Sequence, residues 1–215
     1  MDFRLTEDQE FIRKTARDFA EKVIKPTTAE RDRDRIWPAE MVKQMGRLGF
    51  LGVATSEDYG GAGLDYVSYA IMIEELSRVD AACGVIASVN NSLVCHGIET
   101  FGTEEQKHEV LVPLAAGQKL GAFSLSEPGA GSDAAAQKTT AVRDGDYYVV
   151  NGVKNWVTNG PHADIILLMA MTSPGQGYKG ITSYFPLPRI GGLSEARLSY
   201  TVARRCSYAH PNTPS

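Results

Sequence analysis

The sequence predicts an α + β multidomain chain: an all-α helical domain over residues 1–119, then an antiparallel β domain from residue 120. Three observations carry this. Thr6-Glu7-Asp8-Gln9 and Thr103-Glu104-Glu105-Gln106 are capping boxes, each opening a segment with helical spacing. From Gly121 onward the apolar spacing falls from the helical period towards two, broken by turn residues. All helical segments precede all strand segments, which argues against alternating βαβ units.

Thr6 caps a first helix in which Phe11, Ile12, Thr15, Phe19 and Val23 recur near helical spacing, and Pro26 is expected to end it. Residues 28–35 alternate in charge and read as a solvated connection. Pro38 suits the start of a second helix with Met41, Val42, Met45 and Leu48 on its apolar face, and Gly49 suits its end. Gly60-Gly61-Ala62-Gly63 is a tight loop. Asp65 can cap a helix over about 66–79, and Asp80 another over about 81–100. That last segment is apolar or small nearly all round, which marks a buried helix. The helix that Thr103 caps runs to about Ala116.

Gly121 to Leu125 reads as a strand that opens into the Gly/Ser loop Ser126-Glu127-Pro128-Gly129-Ala130-Gly131-Ser132-Asp133. Thr139–Arg143 and Tyr147–Val150 flank Asp144-Gly145-Asp146, a hairpin signal, and Asn151-Gly152 marks another turn. Val153–Thr158, Ala163–Met171 and Gly180–Leu187 complete the strand candidates. Residues 188–215 hold four arginines, no lysine and one acid, with poor periodicity, and read as an unrelated, disordered tail.

Composition bounds the function classes. Hydrophobic residues make up 43% and charged residues 22%, with a net charge of -4 and no basic cluster to neutralise phosphates, so nucleic acid is not an expected partner. No uninterrupted apolar run approaches the roughly 18 residues of a membrane span. The N-terminus shows neither a secretory nor a transit pattern, and the chain reads as cytoplasmic. Cys83, Cys95 and Cys206 make no CxxC or zinc pattern, and His96, His108, His162 and His210 have no ligand spacing, so no metal site is expected.

Two stretches are candidates for chemistry. The Gly/Ser loop after a strand offers close backbone approach and hydroxyls; it fits a cradle for a polar cofactor or an ordinary surface turn. Its letters G-x-G-x-x-A from Gly129 lack room for a crossover helix, which speaks against a Rossmann site. Asn155-Trp156-Val157-Thr158-Asn159-Gly160 offers either a flat wall with a hydroxyl for a planar ligand or a core Trp in a hairpin. Glu74 and Glu75 are adjacent on a helix and do not share a face, so they are not read as a paired acid.

Several motifs together resemble the acyl-CoA dehydrogenase family, particularly its short-chain, butyryl-CoA-specific members. They are Asp58-Tyr59-Gly60-Gly61-Ala62-Gly63-Leu64-Asp65, Ile73-Glu74-Glu75-Leu76-Ser77-Arg78, Ser88-Val89-Asn90-Asn91-Ser92-Leu93 and Phe101-Gly102-Thr103-Glu104-Glu105-Gln106-Lys107. The match continues in Leu125-Ser126-Glu127-Pro128-Gly129-Ala130-Gly131-Ser132-Asp133 and in Asn151 to Gly160, covering roughly residues 1–185. The resemblance implies an N-terminal helical domain (1–119) and a barrel-like middle β domain (120–187). It implies FAD held by Phe123, Leu125 and Ser126 on one side and by Trp156, Val157 and Thr158 on the other. Ser132 is similar to the residue that contacts the acyl-CoA substrate, and Asn91 is placed near the acyl pocket. The implied reaction is α,β-dehydrogenation of a short-chain acyl-CoA, with electrons passed to an electron-transfer flavoprotein.

The family is homotetrameric and has a further C-terminal helical domain that carries the catalytic Glu. The expectation here is that this domain is absent, with the main tetramer interface, and that residues 188–215 replace it. No catalytic residue is therefore assigned. The alternative expectation is a non-catalytic fragment that binds FAD or acyl-CoA or associates with a full-length partner.

Overall fold

The computed structural model describes residues 4–145, 147–187, 199–206 and 209–210, with side chains described as far as Tyr184 except at Tyr147. The chain divides into two units, Met1–Gln118 and Lys119–Ser215.

The first unit is helical. Helix α1 (Glu7–Phe19) opens on the expected capping box: Thr6 Oγ1 accepts from the Gln9 amide and Gln9 Oε1 accepts from the Thr6 amide. The Gln9 amide group also donates to Asp65 (2.8 Å), whose other oxygen caps α4 (Tyr66–Ser77) through the Ser68 amide. One short network thus sets the starts of two packed helices. Arg17 and Glu75 join the same pair further along, at 2.5 and 2.9 Å.

Pro26 does not end the first helical run. A π turn (Ala20–Ile24) and a 3-10 turn (Lys25–Thr27) lead into α2 (Thr28–Asp34). Pro26 falls in the first turn of the 3-10 segment, where a missing N–H is tolerated. The expected solvated connection is helical because Arg31 is buried. It pairs with Asp80 at 2.5 Å and donates to the Ile24 carbonyl and the Thr27 hydroxyl. Helix α3 (Ala39–Arg47) follows.

Asp80 caps α5 (Ala81–Ser88), which continues through a π segment (Val89–Cys95) into α6 (His96–Phe101). At 21 residues and a mean hydropathy of 1.3, this continuous helix is long and apolar enough to cross a membrane by length and composition, which counting uninterrupted apolar residues did not show. Its Cys83, Ile86, Ala87, Val94, Cys95 and Ile98 are buried within the unit, and half of the window is buried, the pattern of a core helix. A second capping box at Thr103 starts α7 (Glu104–Gln106), which runs through a π turn into α8 (Val112–Ala115).

The second unit is a seven-stranded sheet. Its strands are β1 (Gly121–Ser124), β2 (Thr140–Asp144), β3 (Tyr147–Asn155), β4 (Ile165–Met171), β5 (Ile181–Leu187), β6 (Ser199–Cys206) and β7 (Ala209–His210). The order is β6-β3-β2-β4-β5-β7, and β1 pairs with β4. The sheet is mixed where an antiparallel one was expected: β1 runs parallel to β4, from Gly121↔Ile165 to Ser124↔Leu168, and Thr140 of β2 meets Met171 in parallel. Because β5 occupies one edge of β4, β1 and β2 lie one after the other along its opposite edge. The Gly/Ser loop is therefore an excursion between two strands that abut the same neighbour. Ala122, Ala141, Val150, Ile166, Leu168, Ala170 and Tyr184 fill the core beneath.

Two strand expectations are corrected. Asn151-Gly152 is not a turn but lies inside β3, which is continuous from Tyr147 to Asn155. Glycine is required there because an added Cβ would stand 2.2 Å from Thr139 Oγ1. Residues 199–206, expected in a disordered tail, form β6 along the free edge of β3, from Tyr148↔Cys206 to Asn155↔Ser199. Tyr200, Thr201 and Val202 have the β-branched and aromatic character that suits such a strand. The rest of that tail, residues 188–198, 207–208 and 211–215, lies outside the described residues.

Candidate functional site

The two candidate stretches meet at the ends of β1 and β3. The Asn155 amide donates to the Ser126 carbonyl (2.8 Å), and Lys154 Nζ donates to the Leu125 carbonyl (2.8 Å). Phe123, Leu125 and Ser126 are half-buried along the exit from β1. Trp156 leaves β3 with φ 59, the left-handed region that a bulky aromatic rarely occupies, and its side chain is 71% exposed. This rules out the core-Trp reading.

Neighbouring residues hold the strained turn. Val157 is 3% exposed and packs into the sheet core, so its backbone and not its side chain is left to face a ligand. Asn159, also at positive φ, is buried and donates to the Gly121 carbonyl (3.0 Å). The Thr158 amide donates to the Trp156 carbonyl (3.1 Å), and Thr158 itself is half-buried. Anchored at Val157 and Asn159, the turn leaves the Trp156 ring exposed, one residue beyond the Asn155 amide that is bonded to the Gly/Ser loop at Ser126.

The loop is shaped by a charge pair that sequence reasoning missed. Glu127 and Ala130 exchange backbone hydrogen bonds (2.7 and 3.2 Å), which closes the Pro128-Gly129 turn. Gly129, Gly131 and Ser132 are exposed, and added Cβ atoms at the two glycines would meet nothing within 4 Å. Only a three-residue 3-10 turn, Ala134–Ala136, follows, so no crossover helix supports a Rossmann reading. Glu127 accepts from the amides of Lys138 (2.6 Å) and Thr139 (3.0 Å) and from Lys154 Nζ (2.8 Å). Burial alone pushes the Glu127 carboxyl up, but these donors outweigh it and hold it below the usual carboxylate range. Burial likewise pushes the Lys154 ammonium below the usual lysine range, and Glu127 opposes that shift. The missed signal was present: in β3, Val150 and Lys154 share the inward face of an alternating strand, where a lysine requires a partner.

The helical unit holds the remaining candidate, Asn91. It is 5% exposed, and its amide group accepts from the Val53 amide and donates to the Phe50 and Ala87 carbonyls, all at 2.8 Å. Those bonds tie the helix to the loop at residues 50–53 and use both of its N–H donors. Any influence of Asn91 on a ligand runs through that packing. The neighbouring cavity, lined by Thr55, Tyr66, Tyr69, His96 and Glu99 among others, holds about 10 Å³, no more than one water. Its polar groups already have partners: Tyr66 with His96 (3.0 Å), Tyr69 with Ser88 (2.9 Å) and Glu99 with the Ser56 amide (3.0 Å). Glu75 is tied to Arg17 and Arg78, and the bond from Arg17 holds its carboxyl below the usual range. Burial pushes the Cys83 and Cys95 thiols up to about 12, as expected of core residues. Among the described residues no cluster of three or more His, Cys, Asp or Glu could hold a metal ion.

Comparison with known proteins agrees with this two-unit arrangement. Residues 6–118 match the acyl-CoA dehydrogenase N-terminal domain and residues 122–205 the acyl-CoA dehydrogenase middle domain. A short-chain-specific acyl-CoA dehydrogenase of Clostridium acetobutylicum is 46% identical over 207 residues, covering 96% of this chain and 55% of that protein. Butyryl-CoA dehydrogenase from Megasphaera elsdenii superposes with a TM-score of 0.86 at 40% identity, over 98% of this chain and 58% of that one. A structure described as an electron transferring flavoprotein of Acidaminococcus fermentans, in work on flavin-based electron bifurcation, matches with a TM-score of 0.86 at 44% identity, over 98% of this chain and 58% of that one. The chain thus spans about half the length of the curated relatives it matches. With both domain matches in register with the two units, the chain belongs to the acyl-CoA dehydrogenase family.

Proposed function

We propose that this chain serves the FAD-dependent α,β-dehydrogenation of a short-chain acyl-CoA thioester, with electrons passed on to an electron-transfer flavoprotein. The observation that carries the reading is Trp156, an exposed aromatic ring held in a strained backbone conformation beside a glycine-rich loop. Strain of about 1 kcal/mol or more at a bulky residue persists where the surroundings impose it, and such sites cluster where ligands bind. The residues fit a flavin: a flat ring at Trp156, a hydroxyl at Thr158, and the backbone and hydroxyl of Leu125 and Ser126 across the bond from Asn155 to Ser126.

In this reading Phe123, Leu125 and Ser126 form one wall of the FAD site. Trp156, the Val157 backbone and Thr158 form the other. Ser132, exposed on the open loop, contacts the acyl-CoA. FAD, when bound, supplies the hydride acceptor. The chain's own residues would orient it: Thr158 would offer a hydroxyl to hydrogen-bond it, and Trp156 an apolar surface that shields it from water. Glu127 and Glu75 are both committed to ion pairs and are not assigned as the base that removes the α-proton. A cytoplasmic location belongs to the same reading.

The test is spectroscopic. The purified chain is mixed with FAD, and butyryl-CoA or palmitoyl-CoA is then added anaerobically. The proposal expects a flavin spectrum perturbed at lower concentrations of butyryl-CoA than of palmitoyl-CoA. Bound flavin that responds to no acyl-CoA contradicts the substrate assignment.

A further inference from the structure

Lys154 is 0% exposed, yet its three N–H donors all find acceptors: the Leu125 carbonyl (2.8 Å), Glu127 Oε1 (2.8 Å) and Gln137 Oε1 (3.0 Å). These acceptors come from the exit of β1, the start of the Gly/Ser loop and its last turn before β2. One ammonium on β3 therefore gathers both ends of the excursion. The next residue along β3, Asn155, fixes the Ser126 carbonyl, and the one after that is Trp156. A trans peptide unit is planar, with its C=O and N–H pointing in opposite directions. Turning the Leu125 carbonyl towards Lys154 consequently turns the Ser126 N–H away from it.

We propose that Lys154 is a positioning residue of the flavin site, orienting the Leu125–Ser126 peptide so that the Ser126 N–H is presented to an acceptor atom of the bound flavin. This rests on the FAD reading above. Lys154 itself touches no ligand and acts through the Leu125 carbonyl. Its second effect is on spacing: the wall at Leu125–Ser126 and the turn at Trp156–Thr158 are bonded to adjacent residues of one strand, so their separation is fixed before any ligand arrives. A cofactor then meets a preorganised site and not one it must order on binding.

A buried ion pair can also be mere scaffold, and the experiment separates the two roles. Lys154→Met combined with Glu127→Gln removes the pair without leaving a lone buried carboxylate. Val150→Ala, in the core of the same sheet, serves as a matched destabilised control. FAD is titrated into the wild-type chain and both variants, with flavin absorption, flavin fluorescence and the melting midpoint recorded for each. The proposal expects the double variant to bind FAD at least about tenfold more weakly than Val150→Ala at a comparable melting midpoint, roughly the loss of one good hydrogen bond. It also expects a displaced flavin absorption band. Affinity and band position that simply follow the melting midpoint in both variants overturn it. If the double variant does not fold, Gln137→Leu removes one acceptor and keeps the ion pair. A several-fold weaker affinity with a displaced band then supports the proposal, and unchanged binding overturns it. Failure of the wild-type chain to bind FAD is a distinct result that overturns the flavin reading and this inference together.

Discussion

The helical and β units both bury hydrogen-bonding side chains, but to different ends. In the helical unit Asn90 and Asn91 donate to the Leu51, Phe50 and Ala87 carbonyls, and Asn90 also to the Cys95 thiol, all groups of that same unit. In the β unit Lys154 donates to three acceptors and Asn159 to the Gly121 carbonyl, yet what they hold is open: an exposed Trp156 and a loop whose glycines face free space. A satisfied network that ends on itself is a packing device. One that holds a strained, exposed ring in place is built to meet something else.

Perturbing the two networks should separate these roles. The largest stability effect is expected from Lys154→Met alone. It strands the Glu127 carboxylate, 6% exposed, without its cation, and should cost about 3–5 kcal/mol in denaturant unfolding of the β unit. Asn91→Leu comes next. Leaving the Val53 amide and two carbonyls unpaired should cost about 1–3 kcal/mol, read in the helical signal by circular dichroism.

Acid should weaken both units. Glu75 and Glu127 are held below the usual carboxylate range, so the unfolded chain binds more protons than the folded one as the pH falls. Their contribution is complete only above the unfolded glutamate value of about 4.5 and is lost as the pH falls from there through the depressed folded values. Melting midpoints measured from neutral pH downward check the sign; a midpoint that rises on acidification contradicts it.

Much of the fold was legible because its signals are local. The capping boxes at Thr6 and Thr103 and the caps at Asp65 and Asp80 each involve residues a few positions apart, and all appear where expected. The errors came from long-range partners. Arg31 makes residues 28–34 helical by reaching Asp80, 49 positions away. Thr139 places Gly152 inside a strand where Asn-Gly ordinarily signals a turn. The parallel course of β1 along β4 joins segments more than 40 residues apart. The site divides in the same way. Trp156 and the Gly/Ser loop stood out by residue type, whereas Lys154 is an ordinary letter until the alternation of β3 turns it inward beside Glu127.

The smallest stability effect should accompany the largest loss of binding. Trp156→Gly removes an exposed side chain from a left-handed position, so it should leave the chain within about 1 kcal/mol of wild type, in the stabilising direction. Equilibrium binding of FAD to the wild-type chain and to Trp156→Gly is therefore the most direct measurement of whether the β unit holds a flavin. Saturable binding by the wild type that is weakened tenfold or more by the substitution, with the melting midpoint unchanged or raised, is the predicted result. Equal affinity in the two proteins, or no binding by the wild type, contradicts it.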